Sequence, residues 1–323
     1  MLSPMVTLIL ASDEMMDRAM GHVLPYTLFE IPGLGISFTN HMFMVLTASV
    51  LVYVVFAYTA RQTRTGTTKS LDDYTTDGKF AQFFETICQF IRDNVVKPQL
   101  GGMTDRYIPY IWTVFFFIMF SNLLGMIPIG SIVGGIAFAL NGMGISIPQY
   151  HGWYAHWWGT STGNIAVTSA LASVSLVAII GIGIREQGTK YFAHFAPVPF
   201  KPIGMAPVAL LLVALEIIGL LVKCGVLAMR LFGVMVGGHL VIGVMLGMIF
   251  LFGSYIVGVG MVLLTLGLSI LELFIALLQA FIFTFLTTLF IAAGAAHHEH
   301  DEHHDHDDEL EHGVEPVAAE AHA

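Results

Sequence analysis

Five stretches of the chain are almost free of charge, and their lengths sort them into two kinds. Residues 41–60, 107–129 and 164–184 each match the roughly 20 apolar residues that a helix needs to cross a hydrocarbon core about 30 Å thick. Residues 207–252 and 255–293 are far longer than one perpendicular crossing requires. In hydrocarbon every backbone amide must find its partner within the chain, so all five runs are predicted to be helices. Strong tilt or curvature accommodates the two long ones most economically, with two crossings inside one segment as the alternative. The turn between them is predicted at Gly253 and Ser254.

The polar stretches carry weaker patterns. Phe80, Phe83, Phe84, Ile87, Phe90, Ile91 and Val95 recur at helical spacing with polar residues opposite, which predicts a helix lying on the inner membrane surface. Its apolar face suits lipid and a docking partner equally. Residues 1–31 mix apolar side chains with Asp13, Glu14 and Asp17 and are read as an ordered surface segment. The run 297–312 alternates His with Asp and Glu, a composition that can hold Zn or Ni but cannot build a core; it is read as a solvated, disordered tail, and no metal site or cofactor is assigned. The expected fold class is therefore an all-α integral membrane protein. Residues 1–40 precede the membrane domain at 41–295, and a tail occupies 296–323.

Composition sharpens this picture. The chain is 56% hydrophobic and 11% charged, against about a quarter charged in a soluble domain. Much of the net charge of −10 comes from the acidic tail. No basic patch with interleaved aromatics is present, which argues against nucleic acid as a partner. Cys88 and Cys224 are too few and too far apart to suggest a disulfide framework. Neither a cleavable signal nor an Arg-rich transit peptide is read at the start, which tilts the expected location towards a bacterial inner membrane, with a mitochondrial inner membrane as the alternative.

Charge asymmetry gives an orientation. Arg61, Arg64, Lys69, Lys79, Arg92, Lys97 and Arg106 fall between the first two spans, and Arg185, Lys190 and Lys201 follow the third, whereas residues 130–163 hold no Lys or Arg. Positive loops stay inside, so the N-terminus is expected outside and the C-terminus in the cytoplasm. The outer loop adds Tyr150, Trp153, Tyr154, Trp157 and Trp158, rings suited to an interface.

Charged residues inside the long runs are the candidate chemistry, because a central Arg, Lys or Asp costs about 2.5–3.5 kcal/mol to insert. Glu216, Lys223 and Arg230 are spaced by sevens, forming one slowly drifting stripe. Gly233 and Gly237 follow on the face of Arg230, where small residues let another helix approach closely. His239 lies nine residues past Arg230, on the opposite face and about 13 Å further outward. If the last helix packs antiparallel with Gln279 beside Arg230, Glu272 comes to within about one turn of His239's depth. Such a pair can exchange protons near neutral pH.

Four motifs then resemble one family. Arg230-Leu231-Phe232-Gly233-Val234-Met235-Val236-Gly237-Gly238-His239 resembles the signature of the F-type ATP synthase a subunit. Ser121-Asn122-Leu123-Leu124-Gly125-Met126-Ile127-Pro128 is similar to that family's second-span motif. Asn164, Thr168 and Ala172 resemble its third-span motif, and Leu278-Gln279-Ala280-Phe281-Ile282-Phe283 its last. They stand in the expected order across residues 40–295.

The resemblance implies tilted helices against a rotating ring of c subunits, with b subunits of a peripheral stalk and, indirectly, the soluble catalytic sector as further partners. It assigns Arg230 as the stator arginine and Gln279 as its neighbour, Glu216 to an inner half-channel, and His239, Glu272 and Asn122 to an outer one. The chain would conduct ions without being catalytic itself. It holds no G-x-x-x-x-G-K-[ST] phosphate loop. Two departures stand out: Val234 where the family usually has Asn, and Gly125 where some members carry a carboxylate. Plainer roles exist for each residue: a structural acid partner for Arg230, an ion pair of Glu216 with Lys223, a static His239–Glu272 bond, helix gluing by Asn122, and snorkelling by Lys223. The rival classes are a secondary ion antiporter, which predicts repeats that are not visible here, and a structural subunit of a respiratory complex.

Overall fold

The computed structural model describes residues 27–31, 36–63, 76, 78–127, 159–188, 206–252 and 254–295. Most of the N-terminal segment, the five outer-loop aromatics and the His-rich tail lie outside the described residues. Among the described residues, five helices are long and apolar enough to cross a membrane. One feature is absent from the all-α expectation: β1 (Thr27–Ile31) and β2 (Ile36–Thr39) pair as an antiparallel hairpin that feeds straight into the first helix.

Helix α1 spans Asn40–Gln62 and ends at an extended Thr63. The amphipathic stretch forms α2 (Lys79–Ile91), runs through a π-helical turn at Arg92–Val96 and one further turn at Lys97–Leu100, then breaks at Gly101, whose φ of +52° suits glycine. Helix α3 (Thr104–Met126) starts just beyond. The stripe on α2 is divided between two neighbours. Phe84, Ile91 and Val95 are buried in protein, with the Phe84 ring against Phe116 and Phe120, while Phe80, Phe83 and Phe90 stay exposed. Trp112 Nε1 donates to Cys88 O at 3.0 Å, fixing α2 to α3.

Helix α4 (Ile165–Gln187) is capped by Asn164, whose Oδ1 accepts from the Ala166 amide at 2.8 Å. Thr168, Ala172, Ser175 and Ile179 form its buried stripe, at the three- and four-residue spacing of one helix face. At its far end, the Tyr107 hydroxyl and Arg106 both reach Glu186, and Gln187 Nε2 donates to Gly294 O.

The two long runs are continuous helices, α5 (Ala206–Phe252) and α6 (Tyr255–Ala295). Neither is split into two crossings. At 47 residues α5 is about 70 Å long, more than twice the hydrocarbon thickness, so it must run steeply tilted or curved. Helices α5 and α6 pack on each other as a hairpin; α6 also packs on α3 and α4, α5 on α4, and α1 on α3. On α6, Glu272, Ala276, Gln279, Ala280 and Phe283 are all buried, one stripe facing the bundle. The other side of the hairpin is a broad exposed apolar surface that includes Met229, Leu266, Ile270, Phe274 and Leu278.

Phe116 is fully enclosed, touching Phe56, Phe84, Phe115 and Phe120. Phe116→Ala is expected to destabilise by about 3 kcal/mol, the low end for such truncations, because the reference environment of lipid or detergent is itself apolar. The thermal unfolding midpoint of the detergent-solubilised chain reads this, and an unchanged midpoint would contradict the packing of α3.

Candidate functional site

The polar residues of the hairpin fall into three levels, and the glycines between them explain how they fit. At the middle level Arg230 is half-buried on α5, and its Nε and Nη2 are buried without a hydrogen-bond partner. Among the described residues no carboxylate lies within ion-pair distance of its guanidinium. Within the described residues, then, no structural acid partner holds it. Beside it, a Cβ on Gly233 or Gly237 would meet nothing within 4 Å, so the face next to the guanidinium is open and smooth. Gln279 on α6 is 3% exposed, and its Nε2 likewise has no partner.

One level outward, the structure brings together the pair that the helix depths predicted. His239 Nδ1 lies 2.9 Å from Glu272 Oε1. Nδ1 is also 3.0 Å from the Met235 carbonyl, so two oxygens face the same ring nitrogen. Nε2 sits 3.2 Å from the carbonyl of Gly125. Both ring nitrogens thus have an acceptor nearby, and the imidazole joins α3, α5 and α6. Glu272 is 8% exposed and packs directly on Gly238, where an added Cβ would overlap its carboxylate. Gly125 is equally constrained: a Cβ there would come 2.7 Å from Thr160 Cγ2 and 3.2 Å from Met235 Cε. A side-chain carboxylate at 125 has no room in this arrangement, and the backbone carbonyl supplies the polar contact instead.

Asn122 is fully buried, and its Nδ2 donates to the Ala276 carbonyl at 3.2 Å, between Glu272 and Gln279. That is the gluing role, binding α3 to α6. Its Oδ1 has no partner.

The inner level holds Glu216. It lines a cavity of about 110 Å³ between α4, α5 and α6, together with Ser175, Lys223, Cys224, Phe290 and Gly294. Its lining is mainly apolar, with Glu216, Ser175 and Lys223 as the polar groups, and it is roomy enough for water. Among the described residues Glu216 and Lys223 form no ion pair. Lys223 instead places Nζ 5.3 Å from the centre of the Phe290 ring, a cation–π contact. Lys223 was expected only to snorkel, and this ring contact is a further constraint on it.

The sequence did not mark His41, which is 1% exposed with Nδ1 3.0 Å from Thr160 O, nor the buried turn it meets. At the edge of an apolar run a histidine reads as an interface residue, and a Thr-Ser-Thr-Gly stretch before an N-cap reads as an ordinary turn. The spatial meeting of residues 41, 125 and 160 has no local signal.

The two kinds of glycine give a contrast. Gly238→Ala must push Glu272 off its seat, and the thermal midpoint of the purified chain should fall by several degrees. Gly233→Ala meets open space and should hold or raise the midpoint, since Ala in a helix gains up to about 1 kcal/mol over Gly. Equal effects at both positions would refute the packing of Glu272 on Gly238.

The family model described as ATP synthase A chain matches residues 36–292. The "ATP synthase subunit a" of Chlorobium phaeobacteroides (strain DSM 266) is 33% identical over 272 residues, covering 84% of this chain and 68% of that one. The protein of the same name from Myxococcus xanthus is 34% identical over 281 residues, covering 84% and 80%. "ATP synthase subunit a 2" of Chlorobaculum tepidum is 29% identical over 318 residues, covering 94% and 80%. With its multi-pass helical fold and a match that runs from β2 almost to the end of α6, this chain belongs to the ATP synthase A chain family.

Proposed function

We propose that the chain is the ion-conducting stator subunit in the membrane sector of an F-type ATP synthase, working against a rotating ring of c subunits. The observation that carries this reading is Arg230. A guanidinium stays protonated even where it is desolvated, and such a charge deep in an apolar helix pair needs a counter-charge. Within the described residues it has none, and the surface beside it is cleared by Gly233 and Gly237. The carboxylate is then supplied from outside the chain, by a helix that slides over that surface.

The mechanism follows from the three levels. A ring carboxylate must give up its proton to pass Arg230, because the nearby positive charge favours the ionised form. The fixed charge of Arg230 also repels a cation moving straight through, so the two sides are not short-circuited. His239 and Glu272 lie on the outer side, where protons arrive from the outer solution, and Asn122 and Gln279 shape the wall between that pair and Arg230. Glu216, in its cavity, accepts protons leaving towards the inside. The half-channels are offset, so a proton must ride the ring between them, converting a potential worth about 2.3 kcal/mol per charge per 100 mV into rotation. ATP itself is made in the soluble catalytic sector, which the chain reaches only indirectly, and b subunits hold it against rotation. The N-terminus then lies outside and the C-terminus in the cytoplasm of a bacterial inner membrane, an orientation that the positive loops support.

Arg230→Ala should abolish ATP-driven proton pumping and proton-driven synthesis, a loss of at least a hundredfold, in complexes that still assemble. Arg230→Lys should also fail, since an ammonium is a compact point charge that can lose its proton when desolvated. Coupled synthesis at the normal rate in Arg230→Ala membranes would refute the reading.

His239 and Glu272 should behave as one unit. Each single change to Leu should cut proton flux at least tenfold, and the double change should cost little more than the worse single one. Fully additive losses in flux would show two independent sites.

A further inference from the structure

The run that follows α6 has no part in the mechanism above. Of the sixteen residues 297–312, seven are His and eight are Asp or Glu, with Leu310 the exception. Half of the chain's fourteen His fall within this run. No Lys or Arg follows Arg230, so nothing nearby in sequence neutralises the carboxylates. Blocks of like charge repel one another, and a bound cation relieves that repulsion. The run lies outside the described residues, but its donor set is plain in the sequence.

That donor set is selective. Imidazole with carboxylate suits a borderline divalent cation such as Zn2+ or Ni2+, whereas oxygen ligands alone suit Mg2+ or Ca2+. His300, His303, His304 and His306 lie within seven residues, so several imidazoles reach one ion with only short loops to close. A metal-bound imidazole usually donates its second N–H to a carboxylate. An acid directly follows His298, His300, His304 and His306. Among the described residues no group of three or more His, Cys, Asp or Glu offers another metal site.

The end of α6 sets where such an ion stands. Helix α6 runs unbroken to Ala295, and Gln187 Nε2 donates to Gly294 O, which holds that end against α4. Ala293 and Gly294 line the cavity that contains Glu216. His297 is three residues past Gly294, so covalent geometry keeps their Cα atoms within about 11 Å of each other. We propose that the run 297–312 is a binding site for a borderline divalent cation, anchored by the end of α6 beside the Glu216 cavity. A dication held there repels protons that pass through the cavity, over a distance comparable to the Debye length of about 8 Å at physiological salt. The slowing of protons rests on the ion-conducting reading above; the binding does not.

The full ATP synthase complex is purified without a polyhistidine tag, and its Zn2+ binding is measured by equilibrium dialysis. Changing every His of the run to Asn, from His297→Asn to His312→Asn, should weaken binding at least tenfold. Excess Mg2+ should leave wild-type binding unchanged. Lowering the pH from about 7.5 to about 5.5 should release the ion, because imidazole takes up a proton near 6.5 and must be neutral to ligate. In inverted membrane vesicles, Zn2+ added to the inner face should slow ATP-driven pumping by at least half in the wild type, and EDTA should restore it. The Asn variant should keep its full rate with Zn2+ present. Should that variant assemble poorly, a chain ending after Ala296 serves in its place. Zn2+ held equally by wild type and variant, or displaced by Mg2+, would overturn the site. Binding lost in the variant, with pumping responding to Zn2+ identically in both, would overturn its placement beside Glu216. Arg230→Ala complexes should bind Zn2+ as the wild type does, so failure of the ion-conducting reading would leave the binding result standing.

Discussion

A guanidinium inside an apolar helix pair sets the terms for everything near it. Unpaired charge in a low-dielectric setting is among the least tolerable features a protein can carry, and Arg230 has no carboxylate of its own within the described residues. The neighbouring acid, Glu272, is directed away from it. Glu272 packs on Gly238, on another side of α5, and is engaged by His239. Glu216 is about 21 Å further along the same helix, in a cavity of its own. Had either acid reached Arg230, the two charges would have neutralised each other. Keeping the three charges apart is what leaves the guanidinium available.

Small residues carry out that separation. Gly238 makes room for a carboxylate, and Gly125 makes room for a threonine methyl while its carbonyl faces the imidazole. Gly233 and Gly237 make room for nothing among the described residues, their missing side chains opening on empty space. Glycines that look alike in one motif thus divide into two uses: some admit the chain's own groups, and others leave a surface clear.

Much of this was legible from the sequence because helices transmit spacing into depth. With the last helix antiparallel and Gln279 set beside Arg230, the rise per residue brings Glu272 to within about one turn of His239's depth, and the two side chains lie 2.9 Å apart. The long runs are continuous helices, the more economical of the two readings, because no proline interrupts either beyond Pro207 in the first turn of α5. The β1–β2 hairpin was not foreseen: its strands are five and four residues long, and the Ile36-Ser37-Phe38-Thr39 alternation of β2 is too short to mark a strand. Nor was the divided face of α2: periodicity marks an apolar stripe but does not say whether protein or lipid covers it. The contacts of His41 with Thr160 and of Gly125 with His239 join residues more than a hundred positions apart, and no local pattern encodes such meetings. The two departures from the family motif had opposite fates. Gly125 gained a physical account, as a position too crowded for any side chain; nothing in the structure explains Val234.

The way α6 is supported has a mechanical consequence. Its inner half is fastened at three points: Asn122 holds Ala276, the Phe90 ring lies 6.5 Å from that of Phe281, and Gln187 holds Gly294. Beyond Glu272 its side chains are mostly exposed, with Tyr255 94% and Ile256 87% accessible, and the hairpin with α5 projects from the bundle. A rod clamped along one half and overhanging along the other is stiff inside the clamp and compliant past its edge. Gln279 sits between clamps and keeps its place under sideways load. Glu272 sits at the lip of the overhang, so a push on the projecting end is felt there first, as a change in the gap between its carboxylate and the imidazole of His239.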